Sequence, residues 1–484
     1  MTKPSSLQKL EFRGSQQEIT LNGRIRIAKK GWVVRIITLA IHLFLIIYVI
    51  YEGIRLHDSF IVYSFLMPLS TFLNLLLGWT FYRNPATYGT GESQELVSVI
   101  VPVYNQRSLI EEVIDALFQS THKNIEVIVV NDGSTDGTKE VLHRIIELKK
   151  YRNLKIIHKK NGGKRKAVAS GFYKSKGRIV VLIDSDSIVD KHAIGEFVKA
   201  FSSDPTIGGA VGHVKIANSS KNFLTKLQDS WYDFSFNVGK SSESVFGTVT
   251  CISGCLAAYR REAIENFVPY WAGNPINRWG DDKELTIYTL APPSVKTELR
   301  SIFGDKFWVP LSQKLMESMA KYDDAEDRGL TAHSILSWKT VYVASALVYT
   351  DSPENWQQFN KQQIRWKKGF LRTNFFVNSF FWKKHPLIAF KYYIEFISTI
   401  ISPFVNIVTF VYVPFVLGNW PWTATVLGTS LLAGFAQGLD YRFRDPSAKY
   451  WMYKPFAVLV TYHWLSWLIF PALWTFKKNV WGTR

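Results

Sequence analysis

Long apolar runs near both ends of this 484-residue chain, separated by a charged middle, constrain its fold more than any other feature. Trp32 to Tyr51 is interrupted only by Arg35 and His42. After a polar turn the sequence is apolar again from Phe60 to Tyr82. Each run is about 20 residues, the length at which an α-helix crosses a ~30 Å hydrocarbon layer. The carboxyl third carries three more blocks, Pro386 to Leu417, Trp420 to Leu439 and Trp451 to Phe476, flanked by Arg442-Phe443-Arg444 and Lys477-Lys478. Pro403, Pro414, Pro421 and Pro471 interrupt these blocks, which membrane helices tolerate where neighbours satisfy the freed backbone. Seven Lys and Arg in residues 1–31 face only Glu11 and Glu18, so the positive-inside rule puts this segment in the cytoplasm. Residues 32–84 then read as two transmembrane helices and 386–476 as a carboxyl-terminal transmembrane region. Three plain crossings there would strand the basic 477–484 tail outside, so one block is expected to be re-entrant, interfacial or split. Residues 351–385 mix Trp, Phe, Lys and Arg as interface helices do.

The middle, residues 95–350, alternates strands and helices. LVSVIVPVYN (Leu96 to Asn105), IEVIVVN (Ile125 to Asn131) and RIVVLIDSDS (Arg178 to Ser187) are continuous β-rich runs, as in strands buried on both faces. Helical spacing covers Ser108 to Ser120, Thr138 to Lys149 and Ala167 to Ser175. This predicts a mostly parallel α/β sheet with ligands at the carboxyl ends of the strands. Only two cysteines, Cys251 and Cys255, are present, which excludes a disulfide scaffold, and no second Cys or His pair completes a zinc site. The net charge of +19 admits nucleic acid, anionic lipid or phosphorylated substrates as partners.

Chemistry-bearing residues gather at the predicted strand ends. Asp184-Ser185-Asp186 places two carboxylates where a strand opens into a loop, and oxygen ligands of that kind suit Mg²⁺ or Mn²⁺ while leaving room for substrate phosphates. A bare D-x-D also fits a solvated turn. Asn161-Gly162-Gly163-Lys164-Arg165-Lys166 joins close backbone approach to three cations that match a diphosphate, and equally describes a basic surface loop. It is neither a Walker A loop nor G-x-G-x-x-G. Trp279-Gly280-Asp281-Asp282 offers a carboxylate that could take a proton from an attacking hydroxyl, and could also cap the helix that follows.

Together these residues resemble the processive, membrane-embedded branch of the family 2 glycosyltransferases. VIVPVYN, VVNDGSTD, GGKRKA, DSDS, GDD and Gln362-Gln363-Ile364-Arg365-Trp366 (Q-x-x-R-W) occur in the family's order, and Trp481-Gly482-Thr483-Arg484 is similar to the W-G-T-R ending of hyaluronan synthases. The resemblance implies an α/β GT-A-like nucleotide-sugar domain inserted between α-helical transmembrane segments, with amphipathic interface helices. It implies that Tyr104 and Asp132 hold uridine, Lys164 the diphosphate, Asp184 the nucleotide and Asp186 the metal. Asp282, beside Asp281, would be the general base. Gln362, Arg365 and Trp366 would lie beneath the acceptor sugar, Cys251, Ser253, Gly254 and Cys255 would line the acceptor pocket, and Trp481 and Arg484 would close over the nucleotide. Without the motif, Trp366 and Trp481 read as interface anchors.

The chain departs from the hyaluronan-synthase pattern in places that bear on which polymer is made. Ser253-Gly254-Cys255 stands where S-G-P is usual, Gly239-Lys240 and Glu243-Ser244 replace an E-R…Q-S stretch, and GDD is followed by Lys283-Glu284 instead of Arg. About 45 additional residues, 291–338, precede Q-x-x-R-W and read as a solvated excursion. The expectation is a multi-pass plasma-membrane enzyme with its catalytic domain in the cytoplasm. It would polymerise UDP-GlcNAc and UDP-GlcA with Mg²⁺ or Mn²⁺ and pass the growing polysaccharide across the lipid bilayer, without nucleic acid. The alternatives are a chitin-like synthase using UDP-GlcNAc alone, a non-processive lipid-phosphate transferase, and a basic membrane protein that binds nucleic acid or anionic lipid.

Overall fold

Val97–Val103 (β1) and Ile125–Asn131 (β2) are buried almost throughout, as expected of apolar runs without alternation. The computed structural model describes residues 19–91, 94–149, 151–273, 281–291, 338–378 and 380–475. The 291–338 insertion lies almost wholly outside the described residues. The chain forms two units, one from residues 1–23, 83–217 and 246–351, the other from 24–82, 218–245 and 352–484.

In the first unit, Leu154–His158 (β3), Ile179–Leu182 (β4), Ser187–Val189 (β5), Ile207–Ile216 (β6), Ala257–Arg260 (β7) and Lys339–Thr350 (β8) complete an eight-stranded sheet of order β3-β2-β1-β4-β7-β6-β8-β5. The β3-β2-β1-β4 half is parallel, as the sequence predicts. Beyond it β7 enters antiparallel between β4 and β6, and β5 pairs antiparallel with β8, so the whole sheet is mixed rather than mostly parallel. The parallel register ends β1, β2 and β4 along one edge and so gathers the residues that follow them. The third helix begins at Lys164, three residues before the predicted Ala167, because Gly163 at φ +89° turns the chain directly into it.

Helices make up the second unit. Lys29–Arg55, Ser59–Tyr88, Pro386–Val416 and Trp451–Trp474 are long and apolar enough to cross a membrane. Trp420–Arg444 is a helix of 25 residues but carries Gln437, Asp440, Arg442 and Arg444, and falls outside that set. The prolines are accommodated by side chains. Ser402 Oγ donates to Thr399 O at 3.0 Å, the carbonyl that Pro403 deprives of its helical donor. Around Pro414 the helix widens into a π-helical stretch, Val408–Val416, and Thr423 Oγ1 donates to Thr409 O at 2.8 Å.

Residues 218–245 leave the sheet-bearing part of the sequence and pack into this helical unit. They are held by buried charge. Arg444 reaches Asp233 through two hydrogen bonds of 3.0 and 2.7 Å and Asp440 at 3.3 Å, while Arg35, the charge that interrupts the first apolar run, reaches Asp440 at 2.7 Å. Tyr441 donates to Asp229 at 3.1 Å and Lys454 to Ser230 O at 3.2 Å. Removing one partner from such a set leaves a buried charge uncompensated. Asp233→Ala or Asp440→Asn is therefore expected to cost about 3–5 kcal/mol, read as a lowered thermal unfolding midpoint of the detergent-purified protein.

Candidate active site

The sheet edge assembles the first unit's site. Val103 pairs with Asn131, so Tyr104 and Asp132 emerge side by side, with Asp132 N donating to Val103 O at 2.9 Å. The Tyr104 ring is exposed, whereas Asp132 is buried. One Asp132 oxygen accepts from Gly162 N at 2.9 Å and from Lys159 Nζ at 2.5 Å, and the other accepts from Gly163 N at 2.7 Å. Asp132 thus ties down the glycine loop that opens the Lys164–Lys174 helix. Lys159 had no signal of its own in the sequence; only the pairing of β2 with β3 brings it there.

Leu182 pairs with Ala257 in antiparallel register, and continuing that register sets Asp184 across from Cys255. Asp184 and Asp186 are half-buried at the mouth of the sheet. Burial, then the charges of Asp184 and Asp186, push the Cys255 thiol well above its ordinary value. Among the described residues no three His, Cys, Asp or Glu side chains converge, so these residues offer a divalent ion two carboxylates at most. That fits Mg²⁺ or Mn²⁺ bound together with substrate phosphates.

Lys164 joins the carboxylates. Its Nζ lies 2.6 Å from Asp184 Oδ1 and 3.7 Å from Asp282 Oδ1. Asp282 is near the start of the Asp281–Leu290 helix, and its second oxygen accepts from Gly254 N at 2.9 Å. Thr286 Oγ1 accepts from Ile252 N at 2.8 Å and donates to Asp282 O at 2.7 Å, locking the 251–255 loop to the same helix. Cys251, Ser253 and Cys255 are partly accessible along that loop. The structure therefore brings together Lys164, Asp184, Gly254, Cys255 and Asp282 from four separate stretches of sequence.

Gln362, Arg365 and Trp366 belong to the second unit, on the Trp356–Val377 helix. Arg365 and Trp366 are exposed and Gln362 is half-buried. The Trp366 ring lies 5.9 Å from that of Trp231, and both border a cavity of about 560 Å³ inside this unit. Gln363, Ser70, Asn74, Ser235, Thr399 and Gln437 contribute polar groups to a lining that is otherwise largely apolar, and Lys240, Lys367, Lys454, Glu243 and Glu395 also border it. Trp231 was not read from the sequence as a site residue, having no motif around it. Trp481 and Arg484 lie outside the described residues, and Asp281 is described only as the first residue of its helix.

Residues 98–268 match the model of glycosyl transferase family 2. The chain carries a family 2 glycosyltransferase domain over those residues. The enzyme is 27% identical to a hyaluronan synthase of Streptococcus pyogenes over 91% of its own chain and 95% of that protein. It is 26% identical to human hyaluronan synthase 3 over 73% of its chain and 56% of the human one. A mannosyltransferase of Pyrobaculum calidifontis, solved with GDP-Man and Mn²⁺, superposes with a TM-score of 0.50 at 19% identity, covering 86% of this chain and 97% of that one. The fold is thus of the GT-A type, with candidate membrane helices on both sides of the catalytic domain in sequence.

Gly254 packs closely against the charged groups of this enzyme's site. A Cβ there would stand 2.7 Å from Asp282 Oδ1 and 2.8 Å from Lys164 Nζ, both ends of movable side chains. Gly254→Ala is therefore expected to fold normally yet displace both groups. The expected loss of turnover is about a hundredfold, measured as release of the nucleotide from the sugar donor beside an unchanged thermal midpoint.

Proposed function

We propose that the enzyme is a membrane-embedded, processive, inverting glycosyltransferase that builds a hyaluronan-like polysaccharide from UDP-GlcNAc and UDP-GlcA and passes it through the cavity of its helical unit. The observation that carries the reading is the Lys164 ammonium set between Asp184 and Asp282. Similarity to hyaluronan synthases over nearly the whole chain supports the choice of polymer. So does the cavity charge. Glu395 is already engaged by Lys391 at 2.8 Å, which leaves the lining cationic on balance and suited to a chain bearing carboxylates. The catalytic domain is proposed to work at the cytoplasmic face of the plasma membrane.

In this reading the exposed Tyr104 ring covers the uracil and Asp132 meets the uridine while anchoring the Gly162-Gly163 loop. Lys164 pairs with the diphosphate, and Trp481 and Arg484 close over it. Asp184 and Asp186 would hold Mg²⁺ or Mn²⁺, which when bound neutralises charge on the departing diphosphate. Asp282, held by Gly254 N, takes the proton of the acceptor hydroxyl as that oxygen attacks the anomeric carbon and UDP leaves from the opposite face. Gln362, Arg365 and Trp366 support the acceptor sugar, whose apolar face suits an indole ring.

Asp282→Asn and Asp186→Ala should each abolish UDP release while the protein remains folded. Wild-type turnover should require both donors and yield a hyaluronidase-sensitive product of high mass. Sustained turnover on UDP-GlcNAc alone would instead identify a chitin-like product and make Cys255 part of a changed acceptor pocket. A single-sugar lipid product would mean a non-processive transferase.

The cavity also carries a pH signature. Burial lowers the Lys367 ammonium to about 8. It is charged below that pH and neutral above it, so the attraction for an acidic chain weakens as pH rises through about 8. Elongation should slow across this range, measured as product length per unit time, and Lys367→Gln should flatten the dependence.

A further inference from the structure

Arg165 and Glu284 form a buried ion pair of 2.8 Å, with side chains 9% and 8% exposed. The guanidinium also donates to Trp271 O at 3.3 Å and lies over the Trp271 ring, 5.6 Å from its centroid. Each stands beside a residue of the acid-base cluster in the sequence. Arg165 follows Lys164, and Glu284 lies two residues beyond Asp282.

Successive helical residues point roughly 100° apart, and residues two apart roughly 200°. Fixing where Arg165 points therefore fixes the rotation of the Lys164–Lys174 helix and so the aim of Lys164. Fixing Glu284 on the inner side of the Asp281–Leu290 helix likewise turns Asp282 outward. Apolar packing in the same place would hold the two helices together without selecting a rotation so sharply. A buried ion pair is also poor value as a stabiliser, because desolvation cancels most of its attraction. What it adds is a demand that apolar side chains do not make, because two buried charges must stay turned toward one another.

We propose that Arg165–Glu284 is a positioning pair that sets the distance between the diphosphate cation Lys164 and the base Asp282. The proposal rests on the roles given to Lys164 and Asp282 above. It also gives a use to Lys283-Glu284, the point where this chain departs from the sequence usual after GDD.

The test uses the full chain in detergent or nanodiscs, with UDP release and thermal midpoint measured together. Glu284→Gln should lower kcat by about tenfold to a hundredfold. Added to Lys164→Ala it should cause little further loss, because both changes disable one device. Losses that multiply would overturn the proposal. Should Glu284→Gln fold poorly, the double variant Arg165→Met/Glu284→Leu replaces the pair with apolar side chains and is expected to regain the wild-type midpoint. Under the proposal its kcat stays low; full recovery of kcat with stability would show a merely structural role and overturn it. If Lys164→Ala and Asp282→Asn themselves leave UDP release unchanged, the reading of the site has failed and the positioning role falls with it.

Discussion

An ammonium held between two carboxylates organises the catalytic unit. Lys164 sits in the first turn of its helix with two further cations after it, where the helix dipole already concentrates positive charge. That arrangement is unfavourable unless acids surround it. Asp132 receives the loop amides before the helix, Asp184 and Asp282 receive Lys164, and Glu284 receives Arg165. The acids come from three places, since Asp282 and Glu284 share one helix while Asp132 and Asp184 follow different strands, so the charge cluster forms only once the sheet and that helix are assembled.

The helical unit solves a related problem in a drier setting. Arg35, Asp233, Asp440 and Arg444 are almost fully enclosed, where any one of them alone would be costly. Linked into a chain of ion pairs, they tie a segment from the middle of the sequence to helices from both ends. The same unit keeps a cavity with polar groups among otherwise apolar helices. Long, wholly apolar helices would pack more simply; the retained polar groups line the cavity instead.

Much of this was legible beforehand. The apolar runs announced spanning helices, the continuous β-rich runs announced buried parallel strands, and Tyr104, Asp132, Lys164, Asp184 and Asp282 stood at predicted strand or helix ends. What escaped was long-range. The antiparallel entry of β7 depends on pairing between residues about 80 apart in sequence, for which no local pattern exists. Residues 218–245 look like part of the sheet-bearing domain because they lie between its strands, and only Asp233 meeting Arg444 reveals where they pack. Glu284 read merely as a departure from a motif, since its partner lies 119 positions earlier at Arg165.

By itself, then, the sequence determined which segments are apolar enough to cross a membrane, which runs become buried strands, and which residue types gather at the strand ends, because hydrophobic period and local backbone preference act within a few residues. Tertiary structure alone decided that a side chain at Gly254 would press on Asp282 and Lys164, that Cys255 faces Asp184, and that Lys164 meets Asp184 and Asp282 while Arg165 meets Glu284. Those are distances between elements. They depend on strand register and helix rotation, which follow from packing the whole unit and from no single stretch of it.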